Sequence, residues 1–373
     1  MCLRQEFISL ARQPDSNVAL LCRRFGISRK TGYKWLARCP ADSVKDAAGL
    51  VDRSRRPLNS PGRTEQNLEE SVCDLRRRHP AWGGRKIHFR LKAMGHQEVP
   101  APSTITDILR RHQLLDPEQS VKHKPFVRFE HPNPNDLWQM DFVGHFPLDV
   151  GRCHALTVLD DHSRYCLGAR ACSDETGKTV QKHLTDVFRR YGLPRRILCD
   201  NGSPWGCDSE FRYTWLGAWM IRLGISTSHG RPYHPQTQGK DERFNRTIKT
   251  EVIANRQFRD NDHVQCHFDP WRDVYNLERP HEALNMATPA SRYHPSPRAF
   301  PETLPPIEYA PDDRVRKVGK DGYFNFKTVT YKISQAFVGQ PIALRATSNE
   351  NVLDVFYCHQ KVAAIDLKSQ NRI

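Results

Sequence analysis

Residues 234–247, HPQTQGKDERFNRT, set two adjacent carboxylates, Asp241 and Glu242, among the cations Lys240, Arg243 and Arg246. Two more acids stand in apolar company, Asp141 within WQMDF and Asp200 within ILCDNG. An oxygen-only donor set of this kind suits Mg²⁺ or Mn²⁺, hard ions that keep coordination sites for water and phosphate. Two such ions about 4 Å apart can activate an attacking oxygen and stabilise the leaving oxygen of an in-line phosphodiester displacement. The chain has 42 acidic residues, so spacing by itself does not single out Asp141, Asp200 and Glu242. Asp160 and Asp161 follow an apolar strand and read as turn or capping residues. His234 reads as a loop residue rather than a base, because water bound to such an ion needs none. His263, Cys266 and His267 are the nearest approach to a zinc cluster, and they lack a second cysteine pair.

The acids need elements to position them. A helix starting near residue 239 has Phe244, Ile248 and Val252 as its apolar stripe. Asp241 falls within the arc of that stripe, whereas Glu242 lies about 120° from its centre. Asp241 is therefore poorly placed to share a cleft with the other acids and reads as a carboxylate favoured by the positive helix end. LWQMDFVGHF and ALTVLDDHSRYCLGARAC alternate as strands, TGKTVQKHLTDVFRRYG repeats as an amphipathic helix, and RRILCDNG is a short strand, which together predict a mixed α/β centre.

The flanks differ from this centre. NVALLCRRFGISRKTGYKWLARC has helical spacing on both sides of Gly26, with Ser28 as a helix cap. It reads as a helix-turn-helix in residues 1–48, with Trp35 and Leu36 turned inward. Ser28, Arg29, Lys30, Tyr33 and Lys34 would then face a DNA major groove. Residues 49–65 form a basic, Pro- and Ser-rich linker. Residues 66–118 predict a second helical DNA-binding module, with Ile87, Leu91 and Met94 inside one helix, Gly95 closing it, and Ser103 capping a second that buries Ile105, Ile108 and Leu109. From about residue 305 to 368, short strands separated by KDG and SNEN predict a small β-barrel or sandwich that contacts DNA or another subunit.

Charge supports this division. The formal net charge is +15, distributed as +10 over residues 1–136, +1 over 137–290 and +4 over 291–373. Basic flanks favour polyanions through counterion release, while the balanced centre keeps carboxylates for cations. The eleven cysteines are scattered, with no CxxC spacing, and read as reduced thiols. No stretch is apolar for long enough to span a membrane, and MCLRQEFISLARQ lacks the apolar run of a signal peptide. A cytoplasmic location is expected, nucleoid-associated when the protein is on DNA.

LWQMDF, LCDNGSPW, GRPYHPQTQGKDERFNRTIK and YNLERPHEALNMATPASRY resemble, in order, the catalytic core of bacterial insertion-sequence DDE transposases of the retroviral-integrase type. The resemblance spans about residues 125–295 and implies an RNase H-like core with a mixed five-stranded sheet. It carries the three acidic ligand positions of the family onto Asp141, Asp200 and Glu242, with Mg²⁺ or Mn²⁺, two ions per site, as the cofactor. It implies cleavage and strand transfer of double-stranded DNA, joining element ends to target DNA, by a homo-multimer. Lys240, Arg243 and Arg246 are then expected to hold phosphates. The segment between the second and third acids is longer than in retroviral integrases, and PWGCDSEFRYTWLGAWM is where the extra length falls. The expected architecture is multidomain: all-α helix-turn-helix modules, an α/β RNase H-like core and a small C-terminal β-barrel.

Three rivals differ in chemistry. A tyrosine recombinase would need an HxxR, and no histidine here has Arg at the third following position. A hybrid-cleaving RNase H shares the acids but has no need of helix-turn-helix units. A catalytically silent DNA-binding regulator derived from a transposase would keep the DNA-reading modules without the turnover.

Overall fold

The computed structural model describes residues 3–39, 52, 64–115, 130–206, 213–229, 239–254 and 256–368, and it forms two compact units, 1–63 and 64–373. The loop holding His234, most of the 49–65 linker and residues 207–212 of the lengthened segment lie outside the described residues.

The first unit is a three-helix bundle of α1 (Leu3–Ala11), α2 (Val18–Arg24) and α3 (Arg29–Arg38). Gly26 takes φ +63°, a conformation that costs glycine little, and so turns the chain between α2 and α3. Ser28 Oγ accepts the Thr31 N–H at 3.1 Å and caps α3. Helix α1, which the sequence pattern does not announce, contributes Phe7 and Ile8 to a core with Cys22 and Cys39, against which Trp35 and Leu36 pack. Ser28, Arg29, Lys30, Tyr33 and Lys34 are exposed.

The second unit begins with α4 (Gln66–Arg78), α5 (Gly84–Ala93) and α6 (Pro102–Arg111), packed around Val72, Leu75, Trp82, Ile87, Leu91, Ile105, Ile108 and Leu109. Two expectations change in detail. Pro102 opens α6, with Ala101 at the cap position, so Ser103 lies inside the first turn. Met94 is 47% exposed because the helix ends there and Gly95, at φ +91°, turns the chain away. The three helices are docked on the next domain by the ion pairs Arg90–Glu278 (2.6 Å) and Arg85–Glu282 (3.3 Å), and Val274 packs against their core.

That domain is a five-stranded sheet in the order β3-β2-β1-β4-β5, with β1 (Trp138–Pro147), β2 (Arg152–Asp160), β3 (Cys166–Cys172), β4 (Arg196–Cys199) and β5 (Ser226–His229). β1 pairs antiparallel with β2 and parallel with β4. Because side chains alternate across a strand, β1 sends Trp138 and Met140 to one face, under α7 (Gly177–Tyr191), and Val143 to the other. The second face is covered by α9 (Gly239–Ile248), which continues as a π-helical turn, and by α10 (Asn261–Asp273). The expected stripe Phe244, Ile248 and Val252 is buried there.

Helix α8 (Trp215–Arg222) lies in the lengthened segment and serves two cores, with Leu216 and Met220 in the sheet domain and Ala218 and Ile221 in the C-terminal module. In that module β6 (Arg314–Lys317), β9 (Pro341–Ala346), β10 (Val352–Tyr357) and β11 (Gln360–Asp366) form an antiparallel sheet in the order β11-β10-β9-β6. β7 (Tyr323–Phe326) and β8 (Val329–Lys332) pair only with each other, across a two-residue turn in which Lys327 and Thr328 both have positive φ. The described strands thus form an open sheet and a separate ribbon, not the expected closed barrel. The physical reason is α8: it covers part of the apolar face that a barrel would bury by curling on itself.

Candidate active site

Strand register brings the first two acids together. β1 and β4 pair at Trp138↔Ile197 and Gln139↔Leu198, so the same register carried two residues on sets Asp141 beside Asp200 at the end of β4. The Asp200 side chain is fixed by its Oδ1, which accepts the Gly202 N–H at 2.6 Å, and His229 Nδ1 lies 2.9 Å from the Asp200 carbonyl oxygen. Burial pushes the Asp141 carboxyl up to about 6, and repulsion from Asp200 and Glu175 adds to the rise. A hydrogen bond from Asn245 Nδ2 to Asp141 Oδ2, at 2.8 Å, works in the opposite direction by favouring the charged form.

Asn245 is also what ties α9 to the acids. It lies within the buried face of the helix, and its Oδ1 is 3.4 Å from Thr157 Oγ1, the β2 residue paired with Asp141. Residues three and four apart share a helix face, so Glu242 and Asp241 both sit one turn above Asn245. They differ in direction. Asp241 is turned in and buried, with its acid form strongly favoured by desolvation and then by the charges of Asp141 and Asp161. Glu242 stands exposed. The phase argument thus places Asp241 in the buried arc, and there it feels the charges of Asp141 and Asp161 rather than merely standing at a helix end.

The cations beside them have separate fates. Lys240 is turned inward: its Nζ donates to the Oδ1 of fully buried Asp161, and its side chain is only 15% exposed. A phosphate role was expected for it, and the structure engages it in a buried ion pair instead. Arg243 is exposed and lies 3.5 Å from Glu282, the acid that also meets Arg85. Arg246 is exposed. Asp160 caps its turn, accepting from the Ser163 N–H at 2.8 Å, from Ser163 Oγ at 2.6 Å and from the Asn135 N–H at 2.7 Å.

Two residues near the acids escaped the sequence reading. Asn245 carried a usable signal, a polar side chain inside an apolar stripe. Glu175 carried none, since only the fold brings the β3–α7 loop within electrostatic reach of Asp141, where His154 Nδ1 holds it at 2.8 Å. Among the described residues no three His, Cys, Asp or Glu side chains stand close enough to share an ion. The oxygen donors of Asp141 and Asp200 fit a hard divalent cation, and Glu242 is exposed on α9, the helix that Asn245 ties to Asp141.

Known families match along the chain in a consistent order. A homeodomain-like domain matches residues 3–109, integrase core domains match 131–235 and 223–289, and an IS481 family transposase C-terminal domain matches 313–372. A protein of insertion element IS407 from Burkholderia multivorans is 27% identical over 255 residues, which are 66% of this chain and 89% of that protein. A protein of insertion element IS476 from Xanthomonas euvesicatoria is 25% identical over 248 residues, 65% of this chain and 69% of that protein. These matches support an insertion-sequence DDE transposase type with a retroviral-integrase-like core. Among solved structures, the HTLV-2 integrase catalytic core domain in complex with magnesium is 17% identical at a TM-score of 0.34, covering 44% of this chain and 99% of that one. The two integrase-core matches together contain Asp141, Asp200 and Glu242. No helix among its described residues is long and apolar enough to cross a membrane.

Proposed function

We propose that the protein is the transposase of an insertion sequence: it binds the terminal inverted repeats of its element, cleaves strands there and transfers them to target DNA by metal-dependent in-line displacement. The observation that carries this reading is the hydrogen bond from Asn245 of α9 to Asp141. It supports the reading by tying α9, the helix that bears Glu242, to Asp141. Asp141, Asp200 and Glu242 are the proposed ligands of Mg²⁺ or Mn²⁺, two ions per site, and Glu242 closes the site from the open side of α9. The ions would supply charge neutralisation at the attacked phosphate and polarisation of the attacking and leaving oxygens.

The residues of the chain do the rest. Asn245 engages one oxygen of Asp141 and Gly202 one oxygen of Asp200, which orients the remaining oxygens toward the shared space. Arg246 and Arg243 extend along α9 as phosphate contacts. Ser28, Arg29, Lys30, Tyr33 and Lys34 read the element end, although the Ser28 hydroxyl also caps its helix. In the C-terminal module Arg314, Arg316 and Lys327 gather over the ring of Phe326 at 5.8, 5.4 and 5.9 Å, and none forms an ion pair among the described residues. A DNA backbone would relieve the mutual repulsion of these three cations. Joining two ends requires at least two copies of the chain on DNA.

The test uses purified full-length protein, duplex carrying an element end, and Mg²⁺. Asp141→Asn, Asp200→Asn and Glu242→Gln should each lower nicking and strand transfer by about a thousandfold or more, the scale of losing a charge-stabilising group, while gel shifts still show end binding. Asp241→Asn should keep activity. Strand transfer by Asp141→Asn at the wild-type level, or loss with Asp241→Asn but not Glu242→Gln, would show the wrong acids were chosen. A wild-type protein that binds ends but nicks in neither Mg²⁺ nor Mn²⁺ would be a silent regulator.

A further inference from the structure

One buried carboxylate links the two elements that carry the site's acids. Asp161, just after β2, is fully buried. Its Oδ1 accepts from Gln139 Nε2 at 2.7 Å and from Lys240 Nζ, and its Oδ2 accepts the His131 N–H at 2.8 Å. Gln139 precedes Asp141 by two residues on β1, and Lys240 precedes Glu242 by two residues in the first turn of α9. Residues two apart on a strand share a face, so Gln139 and Asp141 both look toward α9.

The first turn of α9 brings Asp241 within electrostatic reach of Asp141 and Asp161. Asp241 feels unfavourable charge from Asp141 and Asp161 and favourable charge from Lys240 and Arg164. The Lys240–Asp161 pair fixes that turn to the residue that follows β2, and through Gln139 to β1. Removing one member of a buried ion pair leaves the other uncompensated, whereas removing both can be nearly neutral for the fold.

We propose that Lys240 is a positioning residue of the site: through Asp161 and Gln139 it holds the acid-bearing turn of α9 against β1, so that Glu242 meets the cation at a preset distance. The proposal rests on the transposase reading for the identity of the ligands. It differs from a phosphate contact in what each variant changes, because a residue that orients metal ligands alters metal affinity by about 10- to 100-fold, while a phosphate contact alters DNA affinity and its dependence on salt.

The experiment compares wild type, Lys240→Met, Lys240→Arg and the double variant Asp161→Asn with Lys240→Met. Each is followed by thermal melting, calorimetric titration with Mn²⁺ in the absence of DNA, end affinity over a salt series, and strand transfer against Mg²⁺ concentration. Lys240→Met should weaken Mn²⁺ binding by about tenfold or more and raise the Mg²⁺ needed for half-maximal strand transfer by a similar factor. The rate at saturating Mg²⁺ should recover, Lys240→Arg should restore part of the metal affinity, and the salt slope of end binding should not move. The double variant should be no worse in metal binding than Lys240→Met, and it carries the test if the single variant fails to fold, since it leaves no lone buried charge. The proposal is overturned if Mn²⁺ binding is unchanged, whether or not the salt slope drops by about 0.9, the value of one lost phosphate contact. Lys240-dependent Mn²⁺ binding by a wild-type protein that never nicks DNA would keep this inference and defeat the functional reading.

Discussion

Asp141, a proposed ion ligand, stands in a place that favours the acid form. Burial raises it to about 6, Asp200 and Glu175 add to the rise, and Asn245 holds it back. Between its ordinary value of 3.8 and about 6 the folded protein therefore binds more protons at this position than the unfolded chain. Stability should fall as pH rises through that window, by on the order of 2 kcal/mol, and Asp141→Asn should flatten the fall in urea melts taken from pH 4 to 6.5. Metal binding requires the charged form, so Mn²⁺ affinity measured by calorimetry should climb through pH 6 and then level. Asn245→Ala should move that climb to higher pH. A climb centred near 4, or one indifferent to Asn245, would rule out burial and this hydrogen bond as its causes.

Among the helices, α3 depends on the smallest of its residues. At Gly32 an added Cβ would lie 2.6 Å from Cys22 Sγ and 2.9 Å from Phe7 Cζ, both in the core of the first unit. Gly32→Ala is expected to destabilise that unit by about 1–3 kcal/mol through overpacking. Its thermal transition should drop and end binding should weaken in gel shifts, while Mn²⁺ binding by the second unit stays as in wild type. An unchanged melt would mean that α1 and α2 yield more easily than their packing implies. Helix α9 illustrates a different dependence. Its apolar stripe anchors it to the sheet, whereas its register over Asp141 rests on polar contacts, from Asn245 and from Lys240 through Asp161.

For the whole chain, charge is the property that scales. A net +15 with basic flanks predicts DNA binding that weakens steeply with salt, each phosphate contact contributing about 0.9 to the slope of log affinity against log salt. Changing Arg314, Arg316 and Lys327 together to Gln should reduce the slope by up to about 3. The melt should hardly move, because all three side chains are exposed. If affinity falls without any change in slope, the cluster holds something other than a DNA backbone. Within the second unit, α5 is paired to Glu278 and Glu282 while α8 shares its apolar faces between the sheet domain and the C-terminal module, so these parts are held by direct contacts.

Patterns within one element were legible in the sequence because their causes are local. The 3.6-residue stripe Phe244, Ile248 and Val252, the strand around Asp141, and the Gly26 turn with its Ser28 cap depend on side chains a few positions apart, and each appears in the structure as read. Relations across elements were not legible. Whether Lys240 meets a phosphate or Asp161 depends on a residue 79 positions away, and Glu175 nears Asp141 only through the sheet. The fate of the C-terminal strands depended on α8, which offers Ala218 and Ile221 to their core from more than ninety positions upstream. The sequence by itself determined which residues have the chemistry and which helices and strands carry them. Tertiary structure alone decided which charges are buried together, because desolvation and Coulomb energy depend on distances in space, to which the order of residues along the chain is blind.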